Sequence, residues 1–166
     1  MVSSITLSVD VKAAFPDLTV SVTQISDVSV QTADSKLEEF KKFVTEETQR
    51  FYTAETLKDR PVLRAYRDFF WRIKVDPTKI RPAAEALIRR IVIGKPLPRI
   101  NTLVDAYNLA SVKTEVAVAA FDADKTRSLS GLICVTSFFN FCVSNQNHED
   151  LSDLCDNRAS VSLRLI

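Results

Sequence analysis

Glycine is almost absent. The 166 residues contain two, Gly94 and Gly131. A phosphate-cradling loop or a dinucleotide fingerprint needs several glycines at fixed spacing, so both are excluded. Histidine occurs once, at His148, and cysteine three times, at Cys134, Cys142 and Cys155, with no C-x-x-C pair. A zinc site needs four close nitrogen or sulfur ligands at recognisable spacing, and none is present. A catalytic triad would have to run through His148. The chain therefore holds no self-sufficient catalytic motif, and neither a metal nor another cofactor is expected. Long apolar runs are missing too: "GLICVTSFFNFCV" is interrupted by Thr136, Ser137 and Asn140 and is too short to span a bilayer. The opening "MVSSITLSVDVKAAFPDLTV" has no basic stretch followed by an apolar run, so it does not read as a signal peptide. A cytoplasmic protein with no membrane partner is expected. Nor does one sign of charge dominate. Twenty-two Lys and Arg stand against 21 Asp and Glu, a net charge of +1, so no global field announces a polyanion and DNA is not expected.

What is present suffices for one domain with an appendage. Apolar residues make up 46% and charged residues 26%, which places the bulk of the chain among globular proteins. The N-terminal segment alternates: Ile5, Leu7, Val9 and Val11 share one face, and "LTVSVTQI" at Leu18 to Ile25 repeats the pattern. With Pro16-Asp17 between them, an antiparallel pair of strands is predicted, and a third short strand at Val28 to Val30. Ser35-Lys36-Leu37-Glu38 has the form of a capping box, followed at helical spacing by Leu37, Phe40, Phe43 and Val44. A second helix is expected over Pro61 to Ile73 with Leu63, Tyr66, Phe69 and Phe70 as its apolar stripe. Pro82 opens a third, and Gly94 is placed to stop it. "KPLPR" at Lys95 to Arg99 must be extended, because each proline disfavours helix in the residue before it. Asn101 can cap a fourth helix to about Val112, and "EVAVAAFD" at Glu115 to Asp122 reads as a buried strand.

After Lys125 the character changes. All three cysteines and the histidine lie beyond that point, and no lysine does. "NQNHEDLSDLCDN" has neither helical nor strand period, and hairpins lacking glycine are hard to build. The expected organisation is a domain over 1–125 and a divergent tail over 126–166, the tail arising from a shifted reading frame, an equivalent truncation or a genuine extension.

Two constellations carry chemistry. Between Lys58 and Arg99 twelve Lys and Arg face four acids, with Tyr66, Phe70 and Trp71 interleaved. Such a stripe suits an RNA-facing surface, and Arg81, Arg89, Arg90, Lys95 and Arg99 are its candidate contacts. The alternative is a set of solvated helix faces whose arginines pair with acids, and the near-neutral total charge favours that reading. The second constellation is Asn101, Asp105 and Asn108, which stack on one face of the fourth helix. Buried amides and carboxylates must be hydrogen-bonded. A clamp to loop backbone and to a guanidinium such as Arg81 or Arg99 is the expected arrangement, ahead of catalytic carboxylates.

"RINTLVDAYNLASV", followed by "AAFDADK", resembles the centre of the tRNA-binding B3/B4 domain found in the β subunit of phenylalanyl-tRNA synthetase and in stand-alone proteins. The residues that carry the likeness are Arg99, Ile100, Asn101, Val104, Asp105, Asn108, Phe121, Asp122, Asp124 and Lys125. The resemblance implies an α+β domain with a mixed sheet and several helices, incomplete at its C-terminus if the tail is foreign. It also implies tRNA or aminoacyl-tRNA as partner. In the synthetase this domain edits mischarged tyrosyl-tRNA, and the family's editing histidine would stand where this chain has Ala119. The resemblance therefore implies an RNA-binding domain first, a trans-acting deacylase second, and a binder of an amino acid or other small molecule third, with no catalytic residue carried over.

Overall fold

The computed structural model describes residues 2–4, 9–122 and 132–139. Along them run strand β1 (Val2–Ser4), helix α1 (Val9–Ala14), strand β2 (Leu18–Ile25), helix α2 (Ser35–Phe51), a single 3-10 turn (Leu57–Asp59), and helices α3 (Pro61–Arg72), α4 (Ala83–Val92) and α5 (Thr102–Thr114). Strands β3 (Val118–Asp122) and β4 (Leu132–Phe139) follow. The described residues are mostly helical. They fall into two compact units, one of Ser29–Val118 and one of Met1–Val28 with Ala119–Ile166.

The first unit is the helical one. Val44 of α2, Leu57, Leu63 of α3, Ala84, Ile88 and Ile91 of α4, Leu97, and Leu109 and Val112 of α5 form one buried cluster. At about 25 cal/mol per Å² of apolar surface removed from water, this cluster is the main source of the unit's stability. The expected stripe of α3 is the observed one: Leu63, Tyr66, Phe69 and Phe70 are all buried. Helix α4 ends as its sequence predicts. Gly94 adopts φ +76, its N–H donates to the Ile91 carbonyl at 2.9 Å, and the Lys95 N–H donates to the Arg90 carbonyl at 2.9 Å. This is the paired closure of a left-handed helix stop. The same closure ends α3, but with Lys74 at φ 60 in the glycine position.

Helix α2 departs from expectation twice. Its cap is Asp34, whose carboxylate accepts from the Leu37 N–H at 2.8 Å, so Ser35 becomes the first helical residue. Asp caps at least as well as Ser, and Glu38 is taken by other partners described below. The inward line is also different. Lys41, Val44 and Thr48 are buried, whereas Phe40, Phe43 and Phe51 are exposed. Phe40 and Phe43 stack on each other with ring centroids 6.4 Å apart.

The second unit carries a sheet of strand order β1-β2-β4-β3. β1 and β2 pair antiparallel from Val2↔Thr23 to Ser4↔Ser21. β2 and β4 pair antiparallel along their whole length, from Leu18↔Phe139 to Ile25↔Leu132. Both described pairings are antiparallel, so the parallel pair implied by a mixed sheet is not among them. The N-terminal hairpin also forms differently. Val9 and Val11 lie in α1, which buries no residue, and β2 takes Val2–Ser4 and β4 as partners. An alternating run specifies a strand only where another strand covers it, and the eight-residue partner lies more than 100 positions away. Val28 to Val30 form no strand, and Glu115 to Ala117 precede β3 rather than belonging to it. Among the described residues no helix is long and apolar enough to cross a membrane.

Candidate functional site

Three buried carboxylates organise the helical unit: Glu85, Asp105 and Glu115, each 4% exposed or less. An ionised carboxylate at such depth is costly unless it is paired and hydrogen-bonded, so the partners define the architecture.

Asp105 sits in the first turn of α5. Lys41 Nζ donates to its Oδ2 at 2.5 Å, and the Ile100 N–H donates to Oδ1 at 3.1 Å. Lys41 also donates to Glu38 Oε1 at 3.2 Å, and Arg99 Nε approaches the same oxygen at 3.6 Å. Burial pulls the pKa of Lys41 down, but hydrogen bonds to Asp105 and Glu38 and their charges outweigh it, and the net shift is upward. Asn101 caps α5 by accepting the Val104 N–H at 2.9 Å. Thr102 ties the same turn to the segment before α2: its N–H donates to the Gln31 carbonyl at 2.9 Å, and its hydroxyl accepts from the Gln31 N–H at 3.0 Å. The loop 95–100 is fixed at three points, by buried Leu97, by Arg90 Nε donating to the Pro96 carbonyl at 2.5 Å, and by Asp105. The cation on Asp105 is thus Lys41 rather than Arg81 or Arg99, which lie beside Glu85 and Glu38 at 4.0 and 3.6 Å.

Glu85 of α4 is held by Arg67 of α3 through two parallel bonds, Nε to Oε2 at 2.8 Å and Nη2 to Oε1 at 2.9 Å. Arg81 Nε lies 4.0 Å from the same carboxylate. The fork geometry locks α3 to α4 and raises the pKa of Arg67 through the Glu85 hydrogen bonds.

Glu115 follows α5 in left-handed backbone, φ 59. Its Oε1 accepts from Arg60 Nε at 2.6 Å and from the Tyr52 hydroxyl at 2.8 Å, and the Arg60 guanidinium stands over the Tyr52 ring at 5.4 Å. Burial, then the Glu115 charge and hydrogen bond, push the Tyr52 phenol up to about 12. Beside this cluster lies a cavity of about 230 Å³ lined by Glu47, Thr48, Phe51, Tyr52, Arg60, Val112 and Lys113. Lys113 Nζ is 2.9 Å from Glu47 Oε2 and 5.8 Å from the Phe43 ring centroid.

The sequence-derived candidates divide accordingly. Asn101 and Asp105 come together with Lys41, Glu38 and Arg99. Asn108 is half-buried on α5, and Phe121 half-buried on β3, which ends at Asp122. Asp124 lies outside the described residues, as do His148, Cys142 and Cys155. Ala119 is the second residue of β3. Arg81, Arg90, Lys95 and Arg99 are exposed and Arg89 is half-buried. The reading of residues alone missed Lys41, Arg67 with Glu85, and the Tyr52–Arg60–Glu115 cluster. Lys41 had one visible signal: it lies four residues after Leu37 and three before Val44, on the line that helical geometry turns inward. The pairs to Glu85 and Glu115 cross 18 and 55 residues and leave no local trace.

No curated protein and no solved structure matches this chain. A family model does: the B3/4 domain, over residues 65–156. The match takes in α4, the clamped loop, the Asn101–Asp105 turn of α5 and β3, and it continues past Lys125 through β4. More than half of the sequence lies within it, and the chain belongs to the B3/4 domain family.

Proposed function

We propose that this B3/4 domain binds tRNA, or the aminoacyl end of a charged tRNA, and that the clamp at Asp105 serves this function by holding the loop 95–100 and its cations in one place. The observation that carries the reading is family membership joined to a specific distribution of charge. Two cations of the stripe are spent inside the fold, Arg67 on Glu85 and Arg60 on Glu115, while Asp105 is matched to Lys41 from outside it, so the remaining cations are the candidate contacts. Lys95 and Arg89 have no salt-bridge partner among the described residues. Arg81 and Arg99 reach a carboxylate only at 4.0 and 3.6 Å, distances at which exposed pairs contribute little. Arg90 has a structural task at Pro96, which separates it from Arg89 as a phosphate contact.

Titrating the protein with total tRNA in gel shifts at several salt concentrations tests the proposal. Binding that weakens steeply with salt supports it, because each neutralised phosphate releases counterions. A second reading, a small-molecule binder, is supported by the cavity beside Tyr52, with cations and a carboxylate at its rim. It predicts no tRNA shift at any salt. Hydrolysis of tyrosyl-tRNA is a separate assay, and Ala119 in place of the family's histidine predicts none.

A further inference from the structure

The outer face of α3 carries a residue that the fold does not use. Leu63, Tyr66, Phe69 and Phe70 take the inward line, while Trp71 is 56% exposed. Arg64 is seven residues before Trp71, about 20° away around the helix axis and about 10 Å along it. Lys74 follows in the left-handed position that closes the helix, its N–H bonded to the Trp71 carbonyl at 3.0 Å. Arg64 and Lys74 are both exposed and have no salt-bridge partner among the described residues. Arg67, one turn before Trp71, is held by two hydrogen bonds to Glu85. Within α3 the sole acid is Asp68, which lies on the same face, four residues after Arg64 and three before Trp71.

We propose that this line, Arg64–Trp71–Lys74, is a contact for single-stranded RNA, with one base stacked on the Trp71 indole and the flanking phosphates on Arg64 and Lys74. The proposal rests on the RNA-binding reading above and adds a surface to it. An exposed indole with Arg64 about 10 Å before it along the helix and Lys74 just past the helix end offers the two things a single strand recognises without sequence, a stacking plane and positive charge. The complementarity selects the partner: an apolar protein surface would leave Arg64 and Lys74 desolvated without counter-charge, whereas a nucleic-acid backbone supplies it.

Trp71 is the single tryptophan in the sequence, so its fluorescence reports on this surface alone. The intact protein is titrated with total tRNA and with a short single-stranded RNA oligonucleotide, and binding is followed in parallel by gel shift. Saturable quenching that tracks the gel shift and weakens with salt is expected. Trp71→Ala should weaken binding roughly tenfold, the loss of about one stacked base, and Trp71→Phe should recover most of it. Arg64→Ala with Lys74→Ala should flatten the salt slope by about 1 to 2. Because all three side chains are exposed, the variants should keep the wild-type circular dichroism spectrum and urea midpoint. A gel shift without quenching, together with wild-type affinity of Trp71→Ala, overturns this surface and leaves the RNA reading standing. Absence of any shift overturns both. Quenching by a polyglutamate peptide but not by RNA overturns the proposal in favour of an acidic protein partner.

Discussion

Asp105 shows how much a single carboxylate can decide. It accepts the ammonium of Lys41 and the N–H of Ile100, so its removal leaves the buried ammonium with Glu38 alone and strands a backbone donor. Asp105→Ala should cost about 1–3 kcal/mol, the range for leaving buried partners unsatisfied, because Glu38 still accepts from Lys41. The urea midpoint measures it, and a midpoint near that of wild type would show that the clamp carries no weight. Lys41→Met with Asp105→Leu should lose far less, since neither charge is then left alone. Tyr52 supplies the pH-dependent counterpart. Its phenol is pushed up to about 12 by burial and by Glu115, against about 10 for an unfolded tyrosine. A raised folded value means that the unfolded chain loses this proton first. The contribution is therefore present below about pH 10 and lost as pH rises towards 12. Alkaline titration of tyrosine absorbance should show a late phenol that disappears in Tyr52→Phe and moves to lower pH in Glu115→Gln.

At the level of elements, legibility follows locality. The apolar stripe of α3, the Gly94 stop of α4 and the Asn101 cap of α5 were readable because each is set within one or two helical turns. The inward line of α2 was not. Phe40 and Phe43 outrank Lys41 on any apolar scale, yet Lys41 is turned inward because Asp105, 64 residues away, accepts its charge. The same holds for the sheet, where the period-2 pattern identified β2 but not its partner β4. The site was legible as a motif, Asn101 with Asp105, and illegible as a network. Gly94 gives the element-scale test. A Cβ there meets nothing within 4 Å, so Gly94→Ala should lose only the cost of left-handed backbone, about 1–2 kcal/mol, with no steric term. A larger loss in thermal unfolding would mean that the turn is packed against something that the open space at Gly94 does not show.

For the whole molecule, the question is what a B3/4 domain built this way can hold. Its net charge of +1 conceals an uneven distribution, because twelve Lys and Arg stand against four acids between Lys58 and Arg99. The family match runs to residue 156, and β4 pairs with β2 over eight residues. We propose the nucleotide sequence as the test of the tail after Lys125: a glycine-bearing, strand-patterned continuation in another frame downstream of the Lys125 codon identifies a shifted frame, and its absence a genuine extension. The central claim is that the domain meets RNA through its phosphates, and the dependence of tRNA affinity on salt tests it most directly. The account predicts a linear fall of log affinity with log salt, with a slope that drops by about 1 to 2 when Arg89 and Lys95 are both replaced by alanine. A flat salt dependence, or no tRNA binding by a protein with a wild-type urea midpoint, would contradict it.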